Sequence, residues 1–324
     1  MRPWPGWASS GPVPAWGTVT DDLFAAIDCG TNSVRLLVSR LVEGRLVELD
    51  RRLHLTRLGQ GVDATGQFHP DALARTFAAM ADFGQELDAL GVTRRRLVAT
   101  SAARDAANSA EFFDGARRLL GVEAEIIPGE EEARLSYLGA VTALPRLEQP
   151  VLVMDIGGGS TELVLGSSGT PSAAVSLDVG SVRLRERFLH SDPPAPDEIT
   201  AAQDHVGALL DGSGIEFRSV STWVGVGGTV TSLSALVQGL PTYDRELVHG
   251  SRISARALDA LTARLLSMPV ADVTRLPTMV PGRADVICGG ALICATVGDR
   301  LARDLRVSEA DILDGILLQL AHGA

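Results

Sequence analysis

The chain has 324 residues, 40 acidic and 29 basic, with a net charge of −11 and a hydrophobic fraction of 45%. That is a folded chain of about two domains, not a disordered one, and its charge argues against a general nucleic-acid or anionic-membrane binder. Every basic residue is Arg, which excludes the P-loop, protein-kinase, pyridoxal and Ser-Lys chemistries that each need a lysine. Phosphate chemistry remains open only through arginines, backbone amides and metal ions.

Residues 1–22 contain four Pro and Trp4, Trp7 and Trp16, with no apolar run after a basic start. They are expected to be a disordered tail rather than a secretory signal. No apolar stretch reaches the roughly 18 residues of a membrane span. Cys29, Cys288 and Cys294 form no disulfide framework, and with the scattered His they show no zinc spacing. A cytoplasmic protein is expected.

Three strands are predicted at 24–28, 33–42 and 45–58, with Gly44 in a hairpin turn. Helical spacing follows over 70–91, then a buried strand over 94–102 and a helix over 107–121. A strand at 122–129 and a helix at 130–144 complete an α/β layered pattern. Residues 144–150 read as a junction. Beyond it 151–180 repeats strand, turn, strand, turn, strand. Helices are predicted at 181–190 and 196–214, a strand running into a helix over 221–240, and helices at 254–268 and 283–305. A short strand at 306–308 and a segment at 309–321 close the chain.

The repeat carries most information. FAAIDCGTNSVRLLVSR and VLVMDIGGGSTELVLG each end an apolar strand in Asp-x-Gly, turn on small polar residues and enter a second strand. Such duplication implies two similar domains, 23–145 and 146–324, facing a shared cleft. Glycine-rich turns expose successive N–H groups to an anion. Gly30, Asn32 and Ser33 in one turn, and Gly157, Gly158, Gly159 and Ser160 in the other, are therefore candidate phosphate contacts. A lone turn of this kind can equally be an ordinary hairpin. Asp28 and Asp155, at the strand ends, can hold Mg²⁺ or cap their turns.

Gly227, Gly228 and Thr229 form a third glycine turn ahead of a helix, suited either to an anion or to tight packing. Arg104, after a buried strand, offers a phosphate fork or is a surface residue. Glu130, Glu131 and Glu132 open a helix, where acidic residues are favoured. Three in a row exceed what capping needs, so one can serve as a general base. Glu162 lies on the second glycine hairpin and is a candidate for a metal or a water. Arg183, Arg185, Arg187 and Arg283 are the candidates for guiding a longer polyanion, or are solvated surface residues.

DCGTNSVRLL, TSAARDAAN, GEEEARLSYLG, DIGGGSTEL, GVGGTVTSL, VHG at 248–250 and RADVICGG at 283–290 occur in this order. Together they resemble the exopolyphosphatase / guanosine pentaphosphate phosphatase family, from about Leu23 to the C-terminus. The resemblance implies two ribonuclease-H-like domains of the actin, Hsp70 and sugar-kinase ATPase superfamily, with an interdomain cleft. It places the catalytic Glu at Glu132 with Glu131 as a neighbour, a second acidic residue at Glu162, a metal-linked Asp at Asp155 and an arginine at Arg104. The first phosphate loop falls on Asp28, Gly30, Asn32 and Ser33, and the second on Gly157 to Ser160. Thr31 stands where the family often has Ser. Longer members carry an HD-type motif, and this chain has no His-Asp dipeptide.

A short two-domain member is therefore expected, with its last helix (309–320) packing back across the domains and short polyphosphate favoured. Mg²⁺ or Mn²⁺ is the expected cofactor and a homodimer the expected assembly. The leading expectation is hydrolysis of the terminal phosphoanhydride of inorganic polyphosphate. A pppGpp 5′-phosphatase and a non-catalytic sensor of ppGpp or polyphosphate are the alternatives. An acetate or sugar kinase shares the superfamily but not the GxEEA and RADVI motifs.

Overall fold

A computed structural model describes residues 22–322. The tail expected over 1–22 lies outside the described residues except for Asp22. Strands β1 (Leu23–Cys29), β2 (Ser33–Val42) and β3 (Arg45–Leu55) form an antiparallel meander. Glu43 and Gly44 both have positive φ, which a two-residue turn matched to the strand twist requires. A single turn at Val62–Thr65 and helix α1 (Pro70–Ala89) lead to β4 (Arg94–Ala99), which runs parallel to β1. A single turn at Ser101–Asp105, helix α2 (Ser109–Leu120) and β5 (Ala124–Ile126) complete the first half. Helix α3 (Gly129–Ala143) then crosses to the second.

The second half opens with β6 (Val151–Ile156), β7 (Thr161–Ser167) and β8 (Thr170–Leu177). Helices α4 (Ser181–Phe188) and α5 (Pro196–Asp211) precede β9 (Thr222–Val226), and α6 (Gly227–Val237) follows it. Next come β10 (Arg252–Ile253), α7 (Ala255–Ser267), α8 (Ile287–Leu301), β11 (Leu305–Val307) and α9 (Ile312–His322). The sheet orders are β3-β2-β1-β4-β5 and β10-β11-β9-β6-β7-β8. Read from the meander inwards they match strand for strand, with β10 added at the far edge. The α/β class and the ribonuclease-H-like layout that the family resemblance implies are both present.

Three of the differences from expectation are explained locally. The strand at 94–102 stops at Ala99, because the Ala103 and Arg104 amides both turn back to Thr100 O. The strand at 122–129 keeps only three residues, since Pro128 has no N–H to extend a ladder. The helix at 283–305 begins only at Ile287, after a 3₁₀ turn at Pro281–Arg283.

Each sheet is covered on both faces, and two helices are exchanged between the halves. The α1–α2 face of the first sheet buries Ala25, Ile27, Phe83 and Phe112. Its other face packs Phe24, Leu37 and Val98 against Ile312, Ile316 and Leu317 of α9. Helix α3 lays Ala133, Tyr137 and Ala140 on Val153, Val164 and Val224 of the second sheet. Each fully buried large aliphatic side chain here stabilises by about 1.5–3 kcal/mol. Helices α3 and α9 cross at Gly139 and Gly315, where an added Cβ would overlap Asp311 O and Leu135 O respectively. Helix α9 is thereby fixed between the two sheets.

Candidate active site

The two Asp-x-Gly hairpins close with the same backbone bond. Gly30 N donates to Ser33 O at 2.9 Å, and Gly157 N to Ser160 O at 3.0 Å. In the first loop, Thr31 O and Asn32 O accept from the amides of Thr56, Arg57 and Gly59. In the second, Gly157 O and Gly158 O accept from the amides of Ser181, Val182 and Arg183. The amides of Thr31, Asn32, Gly158 and Gly159 donate to no protein group among the described residues. Each loop thus turns carbonyls to its own half and leaves amides over, as an anion-binding nest requires.

The loops also touch each other. A Cβ on Gly159 would sit 2.5 Å from Ser101 Oγ and 2.8 Å from Thr31 Oγ1. These glycines are required by close approach between the halves. The third turn is brought in by the β6–β9 pairing, which sets Val226 beside Asp155. Gly227 has φ 82°, and a Cβ there would lie 2.6 Å from Asp155 Oδ1. Thr229 packs over Gly290 of α8.

Helix α3 carries one functional face. Glu132 Oε2 accepts from Arg104 Nη1 at 2.9 Å, and Arg104 is held by Ile127 O at the same distance. One turn later Ser136 Oγ donates to Asp155 Oδ2 at 2.7 Å. Gly139, a further turn along, meets Asp311. Positions i, i+4 and i+7 share a helix face, so a single helix aligns all three contacts. Glu131 points elsewhere and accepts from Gln319 Nε2 of α9 at 3.4 Å. The structure does not bring it to Arg104.

Cross-strand register supplies the remaining acids. Asp155 is paired with Glu162 and Asp28 with Arg35. Glu162, 2% exposed, accepts from Ser176 Oγ of β8 at 2.7 Å and also from Ser160. Arg35 gives Nε and Nη2 to Asp28 Oδ2 at 3.0 and 2.6 Å, and Nη1 to Asp311. Among the described residues Asp28 Oδ1 and Asn32 Oδ1 are buried with no partner. A carboxylate offers a phosphate oxygen no donor, so any part Asp28 plays in phosphate binding is indirect.

Sequence reasoning missed Arg35, Ser136, Ser176 and Asp311. Arg35 did lie within a noted motif, and its place opposite Asp28 was legible from the hairpin length. The candidate polyanion track is not free. Arg183 pairs with Asp63, Asp105 and Asp178, and Arg187 with Asp63. Arg185 donates to Ser191 O, and Arg283 to Gly228 O and Ser232 Oγ.

Burial sets the protonation of the cluster. It pushes Glu132 up to about 7, aided by Asp28 and Asp155 and opposed by Arg104. It raises Asp155 to about 6, with Asp311 adding to the rise and Arg35 and Ser136 opposing it. Glu162 lies well above the ordinary carboxylate range because burial combines with Glu132 and Asp155. No three His, Cys, Asp or Glu among the described residues converge as a metal cage. Mg²⁺ seldom uses such a cage, since it keeps waters and takes one or two carboxylates together with substrate phosphates. The oxygen-only donors Asp155 and Glu162, with the partnerless Asp28 Oδ1 nearby, fit that habit.

Residues 37–323 match the Ppx/GppA phosphatase family. Exopolyphosphatase 2 of Mycobacterium tuberculosis is 45% identical over 317 residues, covering 92% of this chain and 98% of that protein. A crystal structure of an exopolyphosphatase-like protein is 39% identical with a TM-score of 0.88, covering 92% of this chain and 97% of its own. The Aquifex aeolicus member of the Ppx/GppA family is 31% identical with a TM-score of 0.80, covering 93% and 98%. With paired glycine loops around a buried acid cluster, and with these matches along nearly its whole length, the chain belongs to the Ppx/GppA phosphatase family.

Proposed function

We propose that the protein is a Mg²⁺-dependent, cytoplasmic exopolyphosphatase that releases orthophosphate from the end of inorganic polyphosphate, short chains above all. The observation that carries this is the Arg104–Glu132 pair, set among buried carboxylates between two matched glycine loops. The likeness to an exopolyphosphatase over nearly the whole chain supports the substrate.

The free amides of Thr31, Asn32, Gly158 and Gly159 bind the terminal phosphates. Arg104 holds Glu132 in place and faces the transferring phosphoryl group. Glu132, with a pKa close to neutral, takes a proton from water as the water oxygen attacks phosphorus in line. The bridging P–O bond breaks and its electron pair leaves with the shortened chain. Asp155 and Glu162 would hold Mg²⁺, which when bound supplies the charge neutralisation that lets a polyanion sit beside so many carboxylates. Ser136 and Ser176 orient those two acids.

Glu132→Ala is expected to lower kcat by about 10²–10⁴ in a folded variant. Orthophosphate release is measured with short polyphosphate, long polyphosphate and pppGpp side by side. Near-native turnover in the variant would sink the assignment of Glu132. Faster release from pppGpp than from either polyphosphate would make the nucleotide the substrate.

A further inference from the structure

The duplication sets Arg35 and Glu162 at equivalent positions, each directly across the hairpin from its aspartate. The second hairpin therefore presents two carboxylates, and the first a carboxylate and a guanidinium. An Arg facing an Asp side-on ordinarily gives one N–H to each oxygen. Here Nε and Nη2 both fall on Asp28 Oδ2, and Oδ1 is left buried with no partner. The third donor, Nη1, is drawn to Asp311, so Asp311 fixes the rotation of the fork.

Asp311 is itself fixed from several sides. It is 5% exposed, and its Oδ1 accepts from Leu313 N at 3.0 Å as the cap of α9. Its own amide donates to Asp314 Oδ2, and Arg51 holds Asp314. Gly139 of α3 packs directly on its carbonyl.

We propose that Asp311 is a positioning residue: through Arg35 it keeps Asp28 Oδ1 free in the cleft, and so makes the last helix part of the reacting assembly. A carboxylate oxygen only accepts, so what Oδ1 takes is a water proton or a cation. Without the charge of Asp311 the fork turns onto both oxygens of Asp28 and occupies Oδ1. This rests on the hydrolase reading only for its kinetic readout.

Asp311→Asn tests it in the full chain. Asn caps a helix as well as Asp does, so α9 keeps its start while Arg35 loses a counter-charge. The expected result is a fall in kcat of about tenfold to a hundredfold, the scale of a misplaced reacting group, with KM for short polyphosphate changed by less than about threefold. Asp311→Glu restores part of the loss. Arg35→Lys, which keeps the charge and removes the fork, shows the same kcat defect and decides the matter should Asp311→Asn fail to fold. Wild-type kcat in folded Asp311→Asn, or a loss carried by KM, overturns the proposal. A wild-type protein that releases no phosphate would sink the hydrolase reading instead. The readout is then Mn²⁺ affinity by paramagnetic relaxation of water, weakened in Asp311→Asn if Oδ1 is held free and unchanged if it is not.

Discussion

Glu132 can take a proton only after losing its own. Its carboxyl is pushed up to about 7 by burial and by Asp28 and Asp155, so the proposed base is mostly protonated in mild acid. kcat/KM is therefore expected to rise about tenfold per pH unit up to about pH 7 and then level off. Arg104 is the one neighbour that opposes the rise. Removing it in Arg104→Gln favours the neutral acid, so the acid limb moves to higher pH while the maximum falls. A pH–rate profile checks both effects. A limb that stays in place, or moves to lower pH, would show that the ion pair does not govern this proton.

At the scale of elements, α3 is the organiser. Its first turn supplies Glu132, its second Ser136, and its crossing with α9 seats Asp311 against Gly139. In an exposed helix Gly→Ala stabilises by roughly 0.5–1 kcal/mol. Gly139→Ala is expected to do the reverse, because its Cβ would overlap Asp311 O, at about 1–3 kcal/mol for overpacking. Activity should fall with it, since Asp311 and Ser136 move together. Denaturant unfolding and turnover of the variant check this, and a more stable, fully active Gly139→Ala would mean that the crossing is loose. The same crossing shows what a sequence conceals. The glycine loops were legible because each is a short local pattern whose composition has a chemical reason, whereas the residues alone left Glu132 and Arg104 open and only the family resemblance singled them out. Arg35 and Asp311 are 276 residues apart in the chain and meet only through helix packing. Ser176 reaches Glu162 only through the β7–β8 register. Glu131 and Glu132 are equivalent in composition, and only the rotation of the helix sends one to Arg104 and the other to Gln319.

At the scale of the whole molecule, the halves close on an excess of negative charge. Arg183 and Arg187 reach Asp63, and Arg57 reaches Asp285, so ion pairs hold the rim while the centre crowds Asp28, Glu132, Asp155 and Glu162. All four central groups have pKa values raised above their ordinary range, chiefly by burial. The sign follows directly. A carboxyl whose pKa is raised by folding stabilises fully below its unfolded value, near 4, and loses that contribution as pH climbs through its folded value. Glu48, Asp63 and Glu198 are lowered instead, so their contribution is lost only below about pH 4. His205, also lowered, works the other way as pH falls below its ordinary value of about 6.5, but it is one group against four. With metal chelated, Tm is therefore expected to peak near about pH 5 and to decline towards about pH 8. Glu162→Gln removes a buried carboxyl whose charged form folding disfavours, so at about pH 8 it should raise Tm by about 2 °C or more while lowering activity. The gain should shrink as pH falls towards the ordinary carboxylate range, where the unfolded chain also carries the neutral acid. Thermal melts of both proteins in EDTA across this range decide it, because a gain equal at both ends would place the unfavourable charge outside the cleft.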